Sequence, residues 1–475
     1  MRSPALCLAA LASLAGGCTS LPWGAGGAAF VAPEREIPGA IVRQLGLEGL
    51  ERAAERLAIV VSERWTAVGL PDETLAGGLL VSWDGLELEL GSVALGLGPY
   101  GLEARVDVGA APATIGLGLG DVIVCELDVA FGPGAWIAPL QLGTDKLGRV
   151  QGALKAAVRF EGDVALGVVD GACPALDDLA DRVARALAEA AGGVLGDALA
   201  DALAPALGLD MALAWSGGIA ADALGQGFLR ASIRARDDDL VELGLDGVRV
   251  RFAVGVEAEP HPCVGALALP APETDDEPGP WSPGTGAEGA VLVRLTALEQ
   301  ALRAAWVAGA ACGDHLDPGE GAAAADVRTA WPAVAGYPAD TALRLELWPE
   351  ELPSLGPGDA GGVRLETGRI VVEVWAEDGG SWRLGTLVVS LAIEGELAAT
   401  TDGFVWLDPT RIEAWPVEVT GGLVAPPPAE EVARVLQPLV ESLVLARPLL
   451  RLPPSARPSA TRTLEVGADF VTLAP

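Results

Sequence analysis

The side chains best suited to chemistry in this chain are its cysteines and histidines, and their spacing excludes most of what such residues do. The six cysteines are Cys7, Cys18, Cys125, Cys173, Cys263 and Cys312, and the only histidines are His261 and His315. No cysteine pair has the close Cys-x-x-Cys spacing of a structural zinc centre, so no metal is expected. In an oxidising compartment Cys125, Cys173, Cys263 and Cys312 would form two bridges. Three connectivities are possible, and Cys125–Cys173 with Cys263–Cys312 keeps each pair local. No Gly-x-Ser-x-Gly occurs, and neither histidine is set beside an obvious serine: His261 lies between Pro260 and Pro262, and His315 in a polar loop. Gly96, Gly98 and Gly101, and again Gly284, Gly286 and Gly289, spell Gly-x-Gly-x-x-Gly. The first set joins two alternating strands and the second follows a proline-rich stretch, so neither has the strand–turn–helix context a dinucleotide needs. The runs Asp237-Asp238-Asp239 and Asp275-Asp276-Glu277 lack the alternating ligands of a calcium loop and read as solvated turns. Neither an enzyme nor a cofactor is expected.

The chain opens with Met1-Arg2, an apolar run, and Leu14-Ala15-Gly16-Gly17-Cys18. A basic start, a short apolar stretch and small residues describe a secretory signal, too short to span a bilayer. With cysteine following directly, the segment resembles the lipobox of bacterial lipoproteins, departing from the commonest pattern in having Ala15 three residues before the cysteine. The resemblance implies that residues 1–17 are removed, that Cys18 is acylated as a lipid anchor, and that lipids hold it in a membrane. Thr19 carries no acidic retention signal, which implies the outer membrane. The alternative is an ordinary secretory signal; either way export is expected.

Composition narrows the partners. Half of the 475 residues are hydrophobic, yet after the signal no apolar run is long enough to cross a bilayer. That much apolar material needs large cores or a groove for an apolar ligand. A net charge of −34 argues against nucleic acid and against docking on anionic headgroups, both of which reward Lys/Arg clusters. The acidity itself fits the solubility of an exported protein. Thirteen tryptophans suit core packing or seating at a membrane interface better than sugar stacking.

The elements alternate in type along the chain. Residues 18–36 are rich in Gly, Pro and Ala and read as a tether. From Pro38, Ile41, Leu45, Leu50, Leu57 and Val61 recur near helical spacing, predicting a helix that Pro71 stops. Period-two alternation then runs from Trp83 to Leu97, Leu102 to Val108, Val122 to Val129, Ala153 to Phe160 and Val164 to Val168, as expected of antiparallel strands with one buried face. A long amphipathic helix follows Pro174, with Leu176, Leu179, Val183 and Leu187, then Leu195, Leu199 and Leu203, on one stripe. Gly192-Gly193 is expected to break or bend it, and Pro205 to end it. Residues 267–289 read as a proline-rich linker. Beyond it, Leu295, Leu298, Leu302 and Trp306 mark a helix, and strands cover Leu343–Leu347, Val363–Val374, Leu384–Ile393 and Phe404–Leu407. A helix through Val432, Leu436, Leu439 and Leu443, kinked at Pro438, precedes a last strand through Leu464, Val466 and Phe470. The plan recurs around the linker, predicting two related α+β domains, 37–266 and 290–475.

Pro38-Gly39-Ala40-Ile41-Val42-Arg43, with Gly49-Leu50 after it, is similar to the opening Pro-Gly-Val-Val-Val-Arg…Gly-Leu of the tubular lipid-binding superfamily, in particular the bactericidal/permeability-increasing and lipopolysaccharide-binding proteins. Length, the midpoint linker and the closing segment Pro453 to Phe470 also fit, so the resemblance spans the mature chain. It implies two elongated domains, each a long helix wrapped by a highly twisted antiparallel sheet, joined in a boomerang through a central sheet. It further implies an apolar groove in each arm that holds lipid chains. By the phase of the stripes, the groove residues would be Leu45, Leu50, Leu57, Leu176, Leu179, Val183, Leu187, Leu298, Leu302, Trp306, Leu436 and Leu439. Ala180, Ala184, Ala188 and Ala191 would leave room. The basic tips of the animal proteins have no counterpart here, so lipopolysaccharide binding does not carry over. The family's strand-to-helix disulfide is echoed by Cys125 and Cys173 in kind only.

Two functions follow. One is a monomeric outer-membrane lipoprotein that sequesters or transfers phospholipid or another long-chain amphiphile. The other is the same fold with filled grooves, acting as a structural or protein-interaction lipoprotein. A Leu stripe facing a sheet is ordinarily plain core, and what separates the two is whether the interior exceeds what its own side chains fill.

Overall fold

The computed structural model describes residues 30–67, 73–75, 79–84, 90–98, 101–108, 111–119, 122–171, 176–209, 213–221, 226–236, 241–244, 247–272, 289–309, 311–314, 328, 331–401, 404–428, 431, 450–451 and 462–473.

Glu36–Gly46, expected to be helical from Pro38, is a strand. The i,i+4 spacing of Ile41 and Leu45 suits a helix, but Ile37, Ile41 and Val42 are β-branched and the segment has a strand partner on each side. Gly39, at φ 57°, sits in a register shift that puts the following residues in phase with the neighbouring strand Gly247–Glu259. Tertiary pairing therefore overrides a local spacing. The helix begins only at Leu47 and runs to Ala67 (α1).

An eight-stranded antiparallel sheet lies at the centre. Its main order is Leu213–Ala221, Gln226–Ala235, Gly247–Glu259, Glu36–Gly46, Ala290–Arg294, Phe470–Leu473 and Glu465–Val466. Both halves of the chain meet in it: Ile41 pairs with Val293, Val42 with Leu292, Arg43 with Val291 and Gln44 with Ala290. Each of these two strands leads without a loop into a helix. Glu36–Gly46 enters α1, and Ala290–Arg294 enters Leu295–Val307 (written α3).

In the first half, two five-stranded antiparallel sheets accompany α1 and the long helix Leu176–Ala206 (α2). Their main paths run from Arg159–Glu161 to Leu90–Gly98 and from Val164–Gly171 to Glu73–Leu75. Gly192-Gly193 does not interrupt α2, and a neighbouring tryptophan ring occupies the space a side chain at Gly192 would need. Pro205 falls in the last turn, as expected. In the second half a separate eight-stranded sheet is built on three long strands, Val363–Glu377, Ser381–Ala399 and Phe404–Gly421. The expected final strand is three short ones, Arg462–Thr463, Glu465–Val466 and Phe470–Leu473, shared between the second-half sheet and the central sheet.

The core is not uniform. One cluster joins α1, α2 and α3 to the central sheet and the first-half strands, and also takes in Ile393, Leu397 and Leu407 of the long strands. A second, around Trp331, Leu343, Ile370, Val374, Leu384 and Leu387, lies within the second-half sheet. Trp331 is fully buried, and its indole N–H donates to the Ala425 carbonyl at 2.6 Å. The polar positions of this sheet carry ion pairs, across strands between Arg344 and Glu377, Arg364 and Glu394, and Arg383 and Glu373, and along one strand between Arg344 and Glu346 and between Arg364 and Glu366. Among the described residues, no helix is long and apolar enough to cross a membrane.

Candidate functional site

The apolar interior around the helices is where a ligand would have to enter. Leu50 and Leu57 of α1 are fully buried, as are Ala53, Ala54 and Val61 on the same stripe. Leu45, assigned to the groove by helical phase, is buried from the strand Glu36–Gly46 on the face it shares with Ile41. In α3, Leu298 is buried against the first cluster, whereas Leu302 is half-buried and Trp306 reaches the second cluster. Leu176, Leu179, Val183 and Leu187 lie on the first turns of α2, outside the residues whose side chains are described. Leu436 and Leu439, with Cys18 and Cys173, lie outside the described residues altogether.

The second half of α2 is packed to contact. A β-carbon on Gly196 would come within 2.7 Å of Leu154 and Val158, and one on Gly192 within 3.0 Å of the Trp136 ring. From the sheet side, a β-carbon on Gly152 would stand 2.3 Å from the Ala200 carbonyl. Trp136 is fully buried and meets Phe160 with ring centroids 4.6 Å apart. Leu195, Leu199 and Leu203 are buried there too, and so is Ala191, one of the small residues expected to leave room. From Ala191 onward glycine brings the helix onto the sheet at backbone distance, a use of glycine that alternation and stripe counting do not reveal.

The cysteines divide. Cys263 and Cys312 are buried with their Cα atoms 6.1 Å apart and their sulfurs placed as a disulfide. His261 is buried beside them, and its Nδ1 accepts the Cys263 amide N–H at 3.2 Å. The ligating atoms of these three residues lie within 4.8 Å of one another. The spacing His261-Pro262-Cys263 with Cys312 far along the chain hid this grouping. Three such groups fall one short of a closed tetrahedral zinc centre. Cys125 is in register with Gly171, two residues before Cys173.

A shallow cleft of about 280 Å³ lies where the start of the linker meets the central sheet, lined by Arg35, Phe228, Arg230, Glu257, Glu259 and Leu269. Its cations are already engaged. Arg230 stands 3.9 Å from Glu257 and 3.5 Å from Glu259, and Arg35 donates to the carbonyls of Leu269 and Pro270.

No family model matches the chain, and no curated protein matches it. A solved structure titled as the crystal structure of lipopolysaccharide binding protein is similar at a TM-score of 0.40 and 14% sequence identity, over 92% of this chain and 98% of that one.

Proposed function

We propose that this chain is an exported lipoprotein, anchored through Cys18, that binds a long-chain amphiphile of the phospholipid kind in the apolar interior of its helix-and-sheet arms. The observation that carries this reading is the meeting of two strand–helix units in one central sheet, Glu36–Gly46 with α1 and Ala290–Arg294 with α3. It agrees with the two-armed plan that the opening Pro38–Arg43 implies. The work is sequestration rather than chemistry. Each methylene kept from water is worth about 0.8 kcal/mol, so a two-chain lipid resists entering solution by roughly 20 kcal/mol. A carrier must offer an apolar slot, and the helix from Ala191 onward, in contact with the sheet, does not supply it.

The close approaches at Gly152, Gly192 and Gly196 favour a second reading, in which the arms are filled and the protein is a structural or protein-interaction lipoprotein. Solvent extraction and mass spectrometry of the chain purified from Thr19 onward separates the two. Stoichiometric lipid supports the carrier and identifies its cargo class. A lipid-free protein that also takes up no fluorescent lipid from vesicles leaves the filled-arm reading. Cys18→Ser should move the full chain from the membrane to the soluble fraction, and persistence in the membrane would remove the anchor from the proposal.

A further inference from the structure

The first strand–helix unit carries three arginines that the second does without. Setting the helix starts together, Leu47 on Leu295, brings Leu50 onto Leu298 and Ala53 onto Ala301, all four buried. The same alignment puts Arg43 on Val291, Arg52 on Gln300 and Arg56 on Ala304. A strand running straight into a helix therefore forms in this fold with no cation at any of the three positions.

In the first unit the three positions converge. Arg43 lies on the strand face that carries Ile41 and Leu45, the face that packs with α1, and is half-buried. Arg52 and Arg56 are one helical turn apart on α1. Arg56 donates from a guanidinium nitrogen to the Ala206 carbonyl at 3.4 Å, at the C-terminal end of α2. Among the described residues Arg43 forms neither a hydrogen bond nor an ion pair. Burial, followed by the positive charges of Arg56 and Arg52, pushes its pKa down to about 10. Three other cations of the central sheet have carboxylates: Arg234 is 2.6 Å from Glu36, and Arg249 and Arg251 share Glu242 at 3.1 and 3.2 Å. In a chain of net charge −34, a cation beside two others and without a carboxylate among the described residues is a place where an anion would relieve repulsion.

We propose that Arg43, Arg52 and Arg56 form an oxyanion site that takes a phosphate group at the junction of the strand Glu36–Gly46, α1 and the end of α2. Guanidinium groups offer planar pairs of donors matched to phosphate oxygens, and an anion between three of them removes their mutual repulsion. Arg56 and Arg52 open the site toward solvent while Arg43 closes its inner side. The phosphate is either free or the headgroup of a lipid. The site stands apart from the acyl slot proposed above, since the adjoining second half of α2 is closed.

The test is calorimetric titration and thermal melting of the chain purified from Thr19, with inorganic phosphate and with dihexanoyl phosphatidic acid below its micelle concentration. The variants are Arg43→Val and Arg52→Gln, the residues the second unit uses, with Arg149→Gln at an exposed ion pair as control. Phosphate should raise the melting temperature of the parent, and each site variant should weaken its binding by about tenfold or more, with the control unchanged. Phosphatidic acid binding tighter than phosphate, and weakened by the same variants, supports the site and assigns it to a lipid headgroup. Equal affinity supports it as a site for free phosphate. No binding of either ligand to the parent, or binding undiminished in the variants, overturns the proposal. Should Arg43→Val not fold, Arg52→Gln decides by the same criteria. Lipid-free protein that binds phosphate through these arginines would remove the carrier reading and leave the site standing.

Discussion

The two strand–helix units that meet in the central sheet begin alike and are completed differently. Both run from strand to helix without a loop, and both bury a leucine at the same place, Leu50 and Leu298. The first helix, of 21 residues, buries Leu57 and Val61 beyond that point and packs beside the 31-residue α2. The second, of 13 residues, buries alanines, Ala301, Ala304 and Ala305, at the corresponding stretch. Where the first unit is completed by another helix and short strands, the second is completed by strands of 15, 19 and 18 residues with a core of their own. A shared start thus fixes the junction, while helix length and side-chain volume set how each arm is filled.

That contrast can be broken most severely at the link between the halves. Removing the sulfurs with Cys263→Ser and Cys312→Ser together opens a cross-link between residues 49 apart in sequence, which should cost roughly 4 kcal/mol by the loop-entropy estimate. Denaturant unfolding of the oxidised parent and the double variant measures it. A difference near zero would mean that pairing in the central sheet alone holds the units together.

Next in size is Leu57→Ala, which gives α1 the residue α3 has at the equivalent position, Ala305. The expected loss is about 3 kcal/mol, because Leu57 is fully buried and its truncation leaves a cavity. A loss under about 1 kcal/mol would mean that the first arm relaxes to fill the space.

Gly196→Ala tests the closed end of α2 by sign. In an open slot, alanine stabilises a helix relative to glycine by about 1 kcal/mol. Against Leu154 and Val158 at 2.7 Å it should instead destabilise, by about 1–2 kcal/mol. A higher melting temperature for the variant would reopen this half of α2 as a ligand slot.

The smallest effect lies on the ion-paired face of the second-half sheet. The Ser381 hydroxyl, donating to the Glu377 carboxylate, and then Arg344 hold that carboxyl below its usual range. A depressed carboxyl pKa contributes stability above the unfolded value and loses it as pH falls through the folded one. Ser381→Ala should therefore lower stability near neutral pH by less than about 0.5 kcal/mol, with the difference vanishing in acid. A difference that persists or grows in acid would assign the effect to something other than this carboxylate.

Much of the strand content was legible because alternation reports one buried face directly, as it did for the long second-half strands. The strand Glu36–Gly46 was not, because the spacing of Ile41 and Leu45 serves a helix or a strand equally, and only two flanking strands decide between them. Gly192-Gly193 looked like a break for a similar reason: glycine weakens a helix on its own, and only the Trp136 ring beside it makes glycine the residue that fits. His261, Cys263 and Cys312 were set aside as metal ligands on spacing, and it takes the folded chain to bring them together.

By itself the sequence determined an α+β chain and its acidity, because composition and periodicity are local properties. Only the tertiary structure decided that two distant strands become neighbours, that glycines close one end of α2, and that Arg43 comes beside Arg52 and Arg56 with no carboxylate of its own among the described residues. Those depend on which surfaces meet, and a contact between residues hundreds of positions apart leaves no period in the chain.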